Sequence, residues 1–192
     1  MKYCFIFICC FISLQVVAQK KYEKESRISK EDFPENALKL LHGYTETAKR
    51  LRFYRETDST KTSFEAKFKI QNKKYSIEFD ADGILEDIEI EIAFRKLPEA
   101  IKQNISQYLE HHSKKYSIKK VQKQYYLPGD VSAKNTMVAA FKDLDINFIR
   151  YELVVWRSSD EESGMVEFTF NHLGEYLLER PFSQASYDHI LY

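Results

Sequence analysis

Between Tyr75 and Ile92 apolar and polar residues alternate with a period of two. Tyr75, Ile77 and Phe79 interleave with Ser76, Glu78 and Asp80; after Ala81-Asp82-Gly83, Ile88, Ile90 and Ile92 interleave with Asp87, Glu89 and Glu91. Such alternation predicts strands with one buried and one wet face. Asp82-Gly83 predicts the hairpin turn between them, because glycine accepts the positive φ that the turn needs. At Leu97-Pro98-Glu99-Ala100-Ile101 the period changes to that of a helix. Leu97, Ile101, Ile105, Tyr108, Leu109 and His112 then make one stripe, from about Pro98 to about His112.

The same grammar runs through the rest of the chain. Phe33-Pro34-Glu35 opens a first helix, with proline where no useful donor is lost and glutamate at the positive end of the helix dipole; Gly43 is its natural stop. Lys49 to Thr57 and Ser63 to Gln71 read as strands, the second alternating Phe64, Ala66, Phe68 and Ile70 with Glu65, Lys67 and Lys69. Beyond the second helix, Tyr116 to Tyr126, Phe148 to Arg157, Met165 to Asn171 and Glu175 to Phe182 read as four more strands. Leu127-Pro128-Gly129-Asp130 breaks the pattern, and Ser132 to Lys142 suits a short extra helix.

The halves resemble each other. Phe33-Pro34-Glu35 parallels Leu97-Pro98-Glu99, and the hairpin Glu78 to Gly83 parallels Thr169 to Gly174. The expected fold is therefore α+β, with two tandem repeats of one helix packed on a four-stranded antiparallel sheet. The first repeat covers 31–96; the second covers 97–182 with an insert at 127–147. Ile101 and Ile105 are expected in the core beneath the sheet that holds Ile77 and Phe79.

The amino terminus changes the setting. Lys2, an apolar run from Tyr3 to Leu14, and Val16-Val17-Ala18 make a secretory signal peptide over residues 1–18, cut near Ala18. The run is shorter than the ~20 residues that span a bilayer, and no later run is long enough, so no membrane span is expected after cleavage. Residues 19–30 read as a flexible lead-in and 183–192 as a tail. Cys4, Cys9 and Cys10 all fall inside the signal, so a mature chain of 174 of the 192 residues carries no disulfide and no thiol nucleophile. Its 28 basic and 29 acidic residues, after loss of Lys2 from the 29 of the full chain, balance; nucleic-acid binding would want a basic excess. The expected address is periplasmic or secreted.

Catalytic chemistry finds little to build on. His42, His111, His112, His172 and His189 are scattered without metal-ligand spacing. Asp80, Asp82 and Glu91 match three positions of a calcium loop, but Leu85 stands where that loop requires glycine. Ser158, Ser159 and Ser163 lie in an acidic turn with no paired base. Metal independence, no cofactor and no enzymatic activity are the expectations. Asp87, Glu89 and Glu91 form a carboxylate row, with Glu65, Lys67 and Lys69 on a neighbouring outward face; a solvated, salt-laced surface is expected there. Trp156 shares the outward parity of its strand with Arg150, Glu152 and Val154, so it is either a contact point for a partner or covered by the insert.

Phe-Asp-x-Asp-Gly at Phe79 to Gly83, the acidic-apolar strand after it, and Leu97-Pro98-Glu99-Ala100-Ile101 together resemble the PepSY-like and beta-lactamase-inhibitor-like secreted domains. The resemblance covers Ser29 to Phe182. It implies helix-on-sheet units in a bacterial envelope or secreted protein, and an open sheet face that meets a protein or peptide partner, with no particular reaction. The partner-binding candidates are Trp156, Val154, Glu152 and Arg150. Two other readings stay open: a small-ligand or ion-handling protein using the acidic sheet face, or an enzyme whose site is not recognisable in the sequence.

Overall fold

A computed structural model describes residues 23–58, 61–159 and 162–181. The signal segment, the start of the lead-in and the tail at 183–192 lie outside the described residues. Nine strands form one antiparallel sheet in which each pairs with the next in sequence. They are β1 Glu23–Ile28, β2 Lys49–Asp58, β3 Lys61–Ile70, β4 Lys73–Asp80, β5 Leu85–Glu91, β6 Lys115–Tyr126, β7 Ile149–Ser158, β8 Ser163–Asn171 and β9 Tyr176–Pro181. Among the described residues three α-helices, α1 Glu35–Leu41, α2 Glu99–His112 and α3 Ala133–Phe141, interrupt the meander.

This corrects the expectation of two repeats, each with its own four-stranded sheet. The decisive pairing is β5 with β6, in register from Asp87 opposite Tyr126 to Glu91 opposite Gln122. Separate sheets would leave both strands as edges with unpaired backbone groups, which invite association with other chains. Pairing them continues the ladder, which Leu127 N–H to Glu86 O (3.2 Å) and Ile92 N–H to Val121 O (3.0 Å) extend at its two ends. From Glu23 onward the charged lead-in is β1, paired to β2 from Glu23 opposite Asp58 to Ile28 opposite Phe53.

All three helices pack on one face. Phe33, just before α1, meets Phe53, Phe64 and Phe79 at 4.6, 5.8 and 5.8 Å between ring centroids. Phe141 of α3 stacks on Tyr75 at 5.0 Å, and α3 packs across β5 and β6, bridging the halves. Tyr108 of α2 sits edge-on to Phe168 and Phe170, and Ile105 and Leu109 are fully buried, whereas Ile101 is half-buried. The result is one continuous apolar core from Phe33 to Phe170. The α2 stripe therefore enters the common core over the β8 rings.

Two glycines seat the hairpins under the helices. Gly83 and Gly174 have φ of 78° and 79°, and a Cβ on them would come within 2.8 Å of Pro34 Cβ and 2.9 Å of Ile101 O. Asp80 Oδ1 accepts from the amides of Asp82 and Ile84 (2.9 and 2.8 Å), and Asn171 Oδ1 accepts from those of Leu173 and Glu175 (both 2.9 Å). The likeness between the two sequence hairpins is thus local turn chemistry.

Candidate functional site

The face opposite the helices carries the polar parity of every strand. Across its middle, Tyr54, Glu65, Glu78, Asp87 and Tyr126 lie side by side in register on five successive strands. The next rung holds Arg52, Lys67, Ser76, Glu89, Gln124 and Arg150. Glu91 and Gln122 stand opposite each other one rung further, followed by Glu152 and Thr169.

The sequence predicts a solvated surface of alternating charge; the structure instead sets acid beside acid and buries much of it. Glu25 faces Glu56, Glu65 faces Glu78, and Glu78 faces Asp87. Glu65 is only 4% exposed, and Ser76, Gln122, Gln124 and Thr169 are buried without a helix above them. Neighbouring strands stand ~4.8 Å apart, so long side chains on this face shield one another. Two carboxylate clusters result. In each, one oxygen per residue lies within 4.8 Å of the others: Glu25, Glu56 and Glu65 in the first, Glu78, Asp87 and Glu89 in the second.

The first cluster contains its own cation. Lys67 Nζ lies 2.5 Å from Glu25 Oε2 and 2.8 Å from Glu65 Oε2, and Ser76 donates to Glu65. Burial opposes the Lys67 charge, but Glu65 and Glu25 outweigh it and hold the ammonium above its usual range. Burial, and then the charges of Glu65 and Glu78, push Glu56 up to about 9, so it keeps its proton at neutral pH. In the second cluster the partners of Asp87 and Glu89 are the amides of Gln124 (3.0 Å) and Gln122. Burial first, and neighbouring carboxylates next, raise both carboxyls well above the usual range.

Trp156 lies toward the far end of this face, opposite Ser117 and Met165, and is 37% exposed. Because α3 packs on the other face through Phe68 and Tyr75, the insert does not cover it. Its three companions differ. Val154 is 3% exposed and offers little contact surface. Arg150 is half-buried with its guanidinium 4.3 Å over the Tyr126 ring, and Glu152 is half-buried between Gln122 and Thr169. The four share one face of one strand, with only Trp156 protruding.

Among the described histidines, His112 Nδ1 lies 2.8 Å from Tyr108 O and its ring stacks on Tyr108 at 4.1 Å, a helix-end arrangement. Asp80 is occupied in turn formation. Sequence reading placed Glu78 on the wet face of its strand but missed Glu25, Glu56, Gln122 and Gln124 as members of the face. For the glutamines a signal existed: in Val121-Gln122-Lys123-Gln124-Tyr125 they hold the parity opposite Val121 and Tyr125.

No protein-family model matches the chain, and no curated protein is significantly similar to it. Solved structures share its fold at low identity. A BLIP-like protein from Bacteroides fragilis aligns with a TM-score of 0.51 at 15% identity, covering 79% of this chain and 89% of that one. Its fold is BLIP-like. A DUF2874 family protein from Bacteroides ovatus aligns with a TM-score of 0.52 at 11% identity over 78% of this chain and 89% of that one. A candidate periplasmic protein from Bacteroides eggerthii gives 0.52 at 12% identity, over 77% and 88%. These likenesses support the BLIP-like part of the sequence resemblance and give no specific support to the PepSY-like part. Within the BLIP-like sheet, helices occupy one face and the carboxylate ladder and Trp156 the other.

Proposed function

We propose that this chain is an exported, non-catalytic binding module that meets a protein or peptide partner with the open face of its sheet, at the end marked by Trp156. The observation that carries this reading is the placement of an exposed tryptophan, beside Met165, on the sheet face that none of the described helices covers. A large aromatic rimmed by polar residues suits an interface anchor, and truncating such anchors typically costs about 2 kcal/mol or more of affinity. Export is read from the signal-like start, and the candidate periplasmic neighbour supports it. Among the described residues no helix is long and apolar enough to cross a membrane. The non-catalytic reading draws on the scattered histidines, the absence of cysteine from the mature sequence, and neighbours whose names denote no enzyme.

Site-specific photo-crosslinking tests it. A crosslinking residue at Trp156, in the exported protein within its own envelope, is expected to trap one defined partner. The same residue at Ile84, exposed in the β4–β5 turn, is expected to trap none. Equal crosslinking from both positions, or none from Trp156, would sink the reading.

A further inference from the structure

We propose that Glu78, Asp87 and Glu89, with the side-chain carbonyl of Gln124, form a binding site for a hard divalent cation of the calcium class. Two features besides the acidity of the cluster carry this. Asp87 Oδ1 is a buried oxygen with no hydrogen-bond partner, and so is Gln124 Oε1. Gln124 is 8% exposed, and its Nε2 donates to Asp87 Oδ2 at 3.0 Å, which keeps the oxygen of the same amide beside the cluster. Orphaned buried oxygens are rare, because each forfeits the hydrogen bonds it had with water.

The neighbouring cluster supplies the contrast. Glu25, Glu56 and Glu65 close around Lys67, so the chain provides that cation itself. Among the described residues neither Asp87 nor Glu89 forms an ion pair with a lysine or arginine; their donors are neutral amides. The oxygens of Glu78, Asp87 and Glu89 lie within 4.8 Å of one another. Two oxygens bound to one calcium ion at ~2.4 Å are at most ~4.8 Å apart, so no pair among the three is too widely separated to share one ion. All three side chains are half-buried on the open face and stay reachable from solvent.

The donor chemistry selects the ion class. Every candidate ligand is an oxygen, with no histidine or cysteine among them, which disfavours zinc. Ligands from adjacent strands at irregular angles suit calcium, which tolerates six to eight oxygens, better than magnesium with its near-ideal octahedron. This runs against the metal independence expected from the sequence, where no loop has calcium-binding spacing: the ligands meet only through strand register. The site is independent of the Trp156 reading and shares only the face.

The test uses the exported chain stripped with a chelator. Calcium at saturating concentration is expected to raise Tm by roughly 5 °C or more. Terbium is expected to show emission sensitised by Tyr126, which stands opposite Asp87, and calcium to displace it. Asp87→Asn with Glu89→Gln should abolish both responses while melting no lower than the stripped wild type, because crowded carboxyl groups are replaced by neutral amides of the same shape. Asp87→Asn alone serves if the pair folds poorly. Glu56→Gln should keep both responses. No shift with calcium, a magnesium response of equal size, a response that survives the double substitution, or one lost equally in Glu56→Gln would each overturn the proposal.

Discussion

The two faces of the sheet are made by alternate residues of the same strands and are held by opposite physics. On the helix side, Ile77 and Ile88 stand opposite each other and both are fully buried. One residue away, Glu78 stands opposite Asp87, and two carboxyl groups share one rung. Carbon on the first face gains from every contact it makes. On the second, each added carboxylate makes its neighbours harder to ionise. The stability of this molecule therefore belongs mainly to the helix face, while the open face carries tension that a proton, a cation or a partner can relieve.

Truncating the helix face should give the largest effect. Phe79→Ala, at a fully buried ring in edge contact with Phe33, is expected to cost ~3–5 kcal/mol in denaturant unfolding. A cost below ~0.5 kcal/mol, ordinary for surface sites, would erase the difference between the faces.

A smaller loss is expected where the helix side holds its own buried charge. Lys123 Nζ lies 2.7 Å from Asp145 and 3.1 Å from Asp143, which also binds Lys73 at 2.7 Å. Asp143→Ala removes the shared partner but leaves Asp145, so about 1–3 kcal/mol is expected to be lost. Asp143→Asn should recover part of it. Equal melting of all three proteins would show that this network contributes nothing.

On the open face the sign should reverse. Glu56 is faced by Glu25 from β1, Glu65 and Lys67 from β3 and Glu78 from β4. Its folded pKa of about 9 lies above its unfolded one, so the folded state holds the extra proton. Its contribution is fully present below the unfolded pKa, near the usual carboxylate value, and is lost as pH rises toward about 9. The slope is at most ~1.4 kcal/mol per pH unit for one group. Glu56→Gln is expected to flatten the fall of Tm between pH 5 and 8. An unchanged profile would mean that Glu56 ionises normally.

The smallest effect on folding is expected at Trp156. Trp156→Ala should cost less stability than Phe79→Ala, because its ring keeps 37% of its surface exposed while that of Phe79 is fully buried, and should weaken capture of any partner that crosslinks there. A large loss of stability would assign Trp156 to the fold rather than to recognition.

Local order was legible because it depends on neighbours in sequence. Strand alternation at Ile77 and Ile88, the α2 stripe at Ile105 and Leu109, the turn at Asp80 to Gly83 and the outward parity of Trp156 all follow from periods of two and 3.6 and from glycine's access to positive φ. Those periods say which face a residue takes. They do not say which strand comes next to it. The pairing of β5 with β6, which joins two expected sheets into one, rests on backbone hydrogen bonds that any sequence can make, so no side chain announces it. The same blindness hid the open face. Glu78, Asp87 and Gln124 come from three strands, and their approach depends on register. Sequence alone therefore determined the elements, their buried sides and the polar character of the other face. Tertiary structure decided that the elements share one sheet and that its acids meet, because charges on separate strands interact only where register brings them within a few ångströms.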